Sequence, residues 1–363
     1  MKRSLLPCLS LLLLLLWGCE DLYRPELESG EALLVVDARI VHGGDYNVVR
    51  LNRTLDFNDY GQTYPAVDDA EVSLVDGFGH EIRLNGEGSG LYRLYRPLDA
   101  SGRYKLKIKA DGEIFESGYE RIPAMPSIDS IYMVPGEMLV ETGTDEAAGQ
   151  LERKVGARLY IDINAKGKDN YYRFSGRKVC QYVYNILPPG KPFDVPVYGW
   201  LSITPWETFN IAAPADYSLS EDVRNHPLVF LEREFDIYRE DEIPVYFMGW
   251  IYICHQYAIS EESHDFYETL NKQLSAEGKL FDPLFPQARG NIKCTSDPEK
   301  VVLGNFELSQ VREHRFFVVY RGNDDYFVKR IPYFWEIPVR GEMVDEIPAW
   351  WEVSKRSYPG SEW

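Results

Sequence analysis

Cysteine and histidine are scarce in this chain, at five and six of 363 residues. With so few, no zinc ribbon or paired-histidine metal motif can be assembled at ligand spacing. The nearest approach is Cys254-His255 with His264. Neighbours on a strand point to opposite faces, so Cys254 and His255 do not converge on one ion and no metal site is expected. No glycine-rich phosphate loop and no dinucleotide fingerprint is present, so no cofactor is expected. Basic residues are outnumbered, 39 against 57 acidic, for a net charge of −18. Nucleic-acid phosphates would be repelled, which excludes that partner class. A cationic ligand or metal remains compatible with the acidity, although solubility is its plainer consequence. Long apolar runs are also missing after the first twenty residues. The one that exists, Leu5 to Leu16, is shorter than the roughly 18 residues a membrane span needs.

That run has a different meaning. Lys2 and Arg3 precede it, and Leu16-Trp17-Gly18-Cys19 closes it. A basic start, an apolar core and a small residue beside a cysteine make a lipoprotein signal. Cys19 is then the new N-terminus and carries the lipid, with 1–18 removed and 19–31 left as a polar tether. Loss of Lys2 and Arg3 takes the net charge from −18 to −20. Cys8 leaves with the signal, so Cys180, Cys254 and Cys294 remain in an oxidising compartment. One disulfide and one buried thiol is the natural arithmetic. Cys254 and Cys294, in two strand-like runs flanking a helix, are the candidate pair, and spacing leaves the connectivity open.

The chain is rich in aromatics, 14% with 25 tyrosines, as suits a β-rich protein or a binding surface. From Leu33 to Tyr119 short alternating runs recur with turn residues between them, as at Asp76-Gly77 and Asp111-Gly112. Seven such strands predict an immunoglobulin-like sandwich over 32–125, closed by Pro123 and Pro126. A second β domain is expected over 126–322, with Tyr171 to Leu187 as a hairpin or bent strand. Pro188 to Pro244 reads as a long irregular aromatic insert. One helix is predicted over 261–277, capped by Ser260 and ended by Gly278, with Phe266, Leu270 and Leu274 as its apolar stripe. The tail, 323–363, is acidic and aromatic.

Several spellings in the C-terminal half carry a resemblance. They are Gln256-Tyr257-Ala258-Ile259-Ser260, Leu280-Phe281-Asp282-Pro283, Gln287-Ala288-Arg289-Gly290-Asn291-Ile292 and Leu303-Gly304-Asn305-Phe306. With the lipobox and the strand at Leu33, the chain resembles the Bacteroidota lipoproteins called domain of unknown function 4249. That resemblance implies a lipid-anchored outer-membrane protein, commonly encoded beside TonB-dependent receptors, and it assigns no catalytic residue. Glu20-Asp21 after the cysteine is similar to the surface-export signals of such bacteria. The implied location is the outer membrane and its outer face, with the periplasmic face as the alternative.

Chemical candidates are few. Asp56 to Gly61 begins like a calcium loop, but Tyr60 and Val67 occupy positions that need oxygen ligands, so a solvated loop is the better account. Gly88-Ser89-Gly90 is not a nucleophile elbow, because Glu87 stands where its first glycine belongs, and it reads as a hairpin turn. Carboxylates are too abundant for any pair to be singled out. Gly290 and Gly304 lie in strand-like runs, where glycine marks a bulge or a close backbone approach. Arg289 reads as an anchoring fork of donors at a turn, or as a ligand contact. Tyr198, Trp200 and Trp206 in the insert, and Trp350 and Trp351 in the tail, are candidate ligand or partner contacts, with ordinary packing as their plainer role. The functional expectation is a non-enzymatic accessory or ligand-binding partner of a TonB-dependent receptor. A stand-alone structural or adhesive surface protein is the alternative, and an enzyme on an envelope polymer comes third.

Overall fold

The computed structural model describes residues 32–44, 47–55, 63–142, 150–165, 167, 170–187, 189–190, 192–203, 209–217, 222–232, 245–275, 288–322, 325–330 and 343–344. The first nine strands are β1 (Leu34–His42), β2 (Val48–Arg53), β3 (Glu71–Asp76), β4 (Glu81–Arg83), β5 (Asn85–Gly88), β6 (Leu91–Arg93), β7 (Arg103–Ala110), β8 (Glu113–Ser117) and β9 (Glu120–Arg121). Longer ones follow: β10 (Ile128–Thr142), β11 (Gln150–Ile163), β12 (Tyr171–Ile186), β13 (Val195–Ile203), β14 (Asn210–Ala212), β15 (Val223–Glu232) and β16 (Val245–Ile259). Then come the helix α1 (Glu261–Leu274), β17 (Ile292–Cys294), β18 (Val302–Gly322), β19 (Asp325–Arg330) and β20 (Met343–Val344).

Among the described residues these strands make three sheets. A long sheet runs β20-β13-β12-β16-β18-β1-β2-β6-β5, with β14 added to β12 and β19 to β18. A second is β10-β11-β15, and a third is β17-β8-β7-β3-β4 with β9 on β7. The fold is therefore mainly β, as expected. Its strand order departs from a self-contained unit at 32–125, because both N-terminal layers are completed from the C-terminal half. β1 pairs in parallel with β18, Leu34 opposite Val302 through His42 opposite Gln310. β17 adds itself to β8, Ile292 opposite Ser117. The break at Pro123 and Pro126 is a change of sheet, not an end to shared structure.

Alternation explains the layering, since successive side chains on a strand leave on opposite faces. Even-numbered residues of β1 and β18, such as Val36, Ala38, Phe306 and Leu308, join Val72, Leu74, Leu106 and Phe115 of the third sheet in one core. Further along β18, Phe316 and Val318 join Tyr172, Phe174, Trp250 and Tyr252 against Leu159 and Ile161 of the second sheet. β18 thus serves both cores with the same face. Each of the larger of these side chains contributes about 1.5–3 kcal/mol through removal from water. At 21 residues, β18 is roughly 70 Å long at about 3.3 Å per residue.

Several sequence expectations are altered here. The hairpin turn expected at Gly88-Ser89-Gly90 is narrower, since Gly88 ends a strand, β5, and Ser89 and Gly90, both left-handed, make the turn. Tyr171 to Ile186 is one strand, and its register with β16 shifts between Gln181 and Tyr182. The supposed irregular insert holds β13, β14, a 3-10 turn at Pro214–Tyr217 and β15. Two of its prolines misled, Pro196 near the start of β13 and Pro227 at irregular pairing. Pro227 sits where the β11–β15 register shifts, a place that tolerates a missing donor. The solvated loop expected at 56–61 lies outside the described residues.

Candidate functional site

The polar side of β18 supplies the site. Asn305, Glu307 and Ser309 alternate with Phe306 and Leu308, so they leave on the face away from the core, yet all three are buried. What covers them is α1. β16 ends beside Gln310 of β18, and the chain turns at once into the helix. Ser260 caps it, its side chain accepting from the Ser263 N–H at 3.3 Å, and Glu261 and Glu262 lie where the helix dipole favours acid. The cap is as expected. The helix is shorter than 261–277, closing at Ser275, and Gly278 lies outside the described residues.

The face that turns inward is not the predicted stripe. Ser263, His264 and Tyr267 are buried, Phe266 and Leu270 are half-buried, and Leu274 is 63% exposed. A helix laid over a polar sheet face puts its hydrogen-bonding side chains inward, and apolar spacing alone gave the wrong side.

Beneath Tyr267 lies a closed ionic network. Arg173 of β12 donates from Nε and Nη2 to the two carboxylate oxygens of Glu307, at 2.9 and 2.8 Å. Tyr267 Oη donates to one of those oxygens and Ser309 Oγ to the other, each at 2.8 Å. Tyr257 lies under the guanidinium at 4.0 Å, a cation–π contact. Burial alone would raise the carboxyl of Glu307, but the charge and hydrogen bonds of Arg173 outweigh it and hold it below its ordinary value. Burial would likewise lower Arg173, and Glu307 reverses that. Tyr267 is raised by burial and by the neighbouring carboxylate. Four donors on one carboxylate leave it no free lone pair for a substrate proton, so the network holds geometry.

Beside it is an open cleft of about 180 Å³ between α1 and β1. Phe209, Phe266, Tyr267 and Leu270 form its aromatic and aliphatic wall, and Val35, Asp37 and Arg39 form the opposite one. Phe209 is fixed by Asn271 of α1, whose amide accepts from the Phe209 N–H at 2.8 Å and donates to its carbonyl at 2.7 Å. Its ring meets Tyr267 at 4.6 Å. Arg39 makes a two-pronged pair with Asp37, at 2.8 and 2.6 Å, and this raises the Arg39 pKa. Asn305 donates to Ser263 Oγ at 3.0 Å, while its amide oxygen, buried, has no partner. Gly304, at φ +94°, sits where a Cβ would be 1.8 Å from the Val36 carbonyl. A Cβ on Gly290 would be 1.5 Å from the Gly304 carbonyl. Both glycines mark close backbone approaches, as expected.

The sequence-derived candidates fall elsewhere. Cys254 and Cys294 are free and buried, as is Cys180, which corrects the expected disulfide. Cys254 faces the second core from β16, and Cys294 faces the first from β17. Burial pushes the Cys254 thiol up to about 12, so it is an inert core residue. His255, on the opposite face, bonds Glu313 at 3.1 Å, which separates it from Cys254 as predicted. Arg289 is exposed, which corrects its reading as a buried anchor. Two residues on, Asn291 ties the chain to β18, bonding the Phe306 carbonyl and N–H at 2.7 and 2.8 Å. Tyr198 and Trp200 lie in β13, paired with Val183 and Gln181 of β12. Trp206, Trp350, Trp351 and Cys19 lie outside the described residues.

Sequence reasoning missed Asp37, Arg39, Arg173, Tyr267, Asn305 and Glu307. A signal existed in the run Asn305-Phe306-Glu307-Leu308-Ser309, whose strict polar–apolar alternation marks one dry face and one hydrogen-bonded face. Residues 20–315 match the model of the domain of unknown function DUF4249. No curated protein and no solved structure matches the chain.

Proposed function

Because the chain belongs to the DUF4249 family, we propose that it is an outer-membrane lipoprotein acting without chemistry of its own. In this reading it is a ligand-binding accessory of a TonB-dependent receptor. The observation that carries the reading is the cleft between α1 and β1, whose two charged side chains, Asp37 and Arg39, are spent on each other. That arrangement suits holding a small molecule better than transferring a proton. The lipobox ending at Cys19 supports the anchor. The tether leads into β1, so Val35, at the cleft, follows the point of attachment at Cys19 by 16 residues. A tethered site works at the raised local concentration its linker sets.

A second reading, a stand-alone structural or adhesive surface protein, draws on the β10–β11 hairpin. Val155 and Leu151 of β11 and Leu139 of β10 are 41%, 64% and 64% exposed. They share a face, because Leu139 pairs with Arg153 between them.

The test is recovery of the tagged lipoprotein from gently solubilised outer membranes, with and without crosslinking in cells. A stoichiometric TonB-dependent barrel supports the accessory role, and recovery alone moves the weight to the second reading. Cys19→Ala should release the protein from the membrane fraction. Retention there would remove the lipid anchor from the account.

A further inference from the structure

The cleft's chemistry narrows what it holds, and this step rests on the ligand-binding reading. At about 180 Å³ it is smaller than the roughly 300–1,000 Å³ of drug-sized sites. It therefore suits one ring with a short chain, not an oligosaccharide or a peptide. Its α1 wall is aromatic. Phe209 meets Tyr267 at 4.6 Å with the rings tilted by 34°, and Tyr267 meets Phe266 edge-on at 5.6 Å, a setting for a planar apolar group.

The opposite wall is itself neutral, with Asp37 and Arg39 paired, but a cation stands on the strand next to it. Asp37 is the cross-strand partner of Arg50, so both leave the sheet on the same face as Arg39. Arg50 is exposed. Asp37 neutralises Arg39, at 2.6 Å, and Arg50 leaves the β1 and β2 side chains of this face one positive charge in excess. A third observation lies at the side of the cleft. Asn305 is 5% exposed and its amide oxygen has no partner, an acceptor whose burial is costly until a donor reaches it.

We propose that the cleft binds a small aromatic carboxylate whose ring bears a hydrogen-bond donor. The ring lies against Phe209, Phe266 and Tyr267, the donor serves Asn305, and the carboxylate meets Arg50 at the rim.

The test uses the mature soluble chain from residue 20 and 3-(4-hydroxyphenyl)propionate, titrated by calorimetry. A ligand of this size should bind with a dissociation constant on the order of 0.1–1 mM. The corresponding alcohol, which lacks the charge, and 3-phenylpropionate, which lacks the donor, should each bind about tenfold more weakly. Leu270→Trp, filling the cleft from a half-buried position, should abolish binding, and Arg50→Glu should weaken it about tenfold or more. The proposal is overturned by absence of binding, by equal affinity for either analogue, or by binding indifferent to Leu270→Trp. If binding fails while a receptor still copurifies, the ligand class is lost and the accessory role stands. If binding holds and no receptor is recovered, the partnership is lost and the ligand class stands.

Discussion

The two faces of β18 are built on opposite principles from one continuous strand. On one, Phe306, Leu308, Phe316 and Val318 are buried among other apolar side chains. On the other, Asn305, Glu307 and Ser309 are buried to the same degree, under α1, with Arg173 and Tyr267. The apolar face draws stability from area removed from water. The polar face cannot, because the desolvation of two charges offsets much of what their attraction returns. What it gains is a fixed geometry: four donors converge on Glu307, and they set where Tyr267, and with it the cleft wall, must stand.

The largest effects should come from breaking each face at neighbouring positions. Phe306→Ala should cost about 3–5 kcal/mol. Glu307→Ala should cost a similar amount, about 3–5 kcal/mol, because it strands a buried guanidinium. The difference lies in rescue. A second substitution, Arg173→Met, should recover most of the Glu307 loss and none of the Phe306 loss, read from urea midpoints of the four variants. Gly304→Ala should cost about 3 kcal/mol, through a strained left-handed φ and a Cβ against the Val36 carbonyl. Equal stability of this variant would mean that β1 and β18 are not so closely set.

Titration should separate the two regions in opposite directions. His226, behind the second core, accepts from Tyr217 Oη at Nδ1 and donates from Nε2 to Asn210, both at 2.5 Å. Burial pushes it down to about 4. The unfolded chain therefore takes up a proton that the fold refuses, and stability should fall as pH drops from about 6.5 to 4, by about 2–3 kcal/mol. His226→Gln should flatten that slope in pH-dependent unfolding. Glu120 is the contrary case, beside α1. Its carboxyl is pushed up to about 8 by burial and by Glu262, although Asn291 bonds one oxygen at 2.7 Å. Here the fold keeps a proton that the unfolded chain loses above about pH 4.5, so stability should decline as pH rises from there to about 8. Because the residue is partly exposed, the span should be only on the order of 1–2 kcal/mol. Glu120→Gln should remove it, and an unchanged slope would place the titration on another group.

Much of this was readable in the sequence, and the failures share a cause. Strands β1 to β4 and β6 to β8, the Ser260 cap and the two glycine approaches follow from local rules: alternation, capping and φ. The partnership of β1 with β18 could not, because residues nearly 270 apart were joined by no local signal. Neither could the inward face of α1, since apolar spacing presumes an apolar floor. The paired cysteines were assigned from their flanking positions, and tertiary structure placed them in separate cores. Arg289 drew attention as the charged residue of its motif, whereas Gly290 and Asn291 make the contacts.

The most direct test of the central claim, that the polar face orders a binding cleft and does not supply stability, is one doubly substituted protein. Arg173→Met with Glu307→Leu should unfold at the same or a higher urea concentration than the parent, and bind 3-(4-hydroxyphenyl)propionate at least about tenfold more weakly. A loss of several kcal/mol in stability with the affinity unchanged would contradict it and make the network plain structural support.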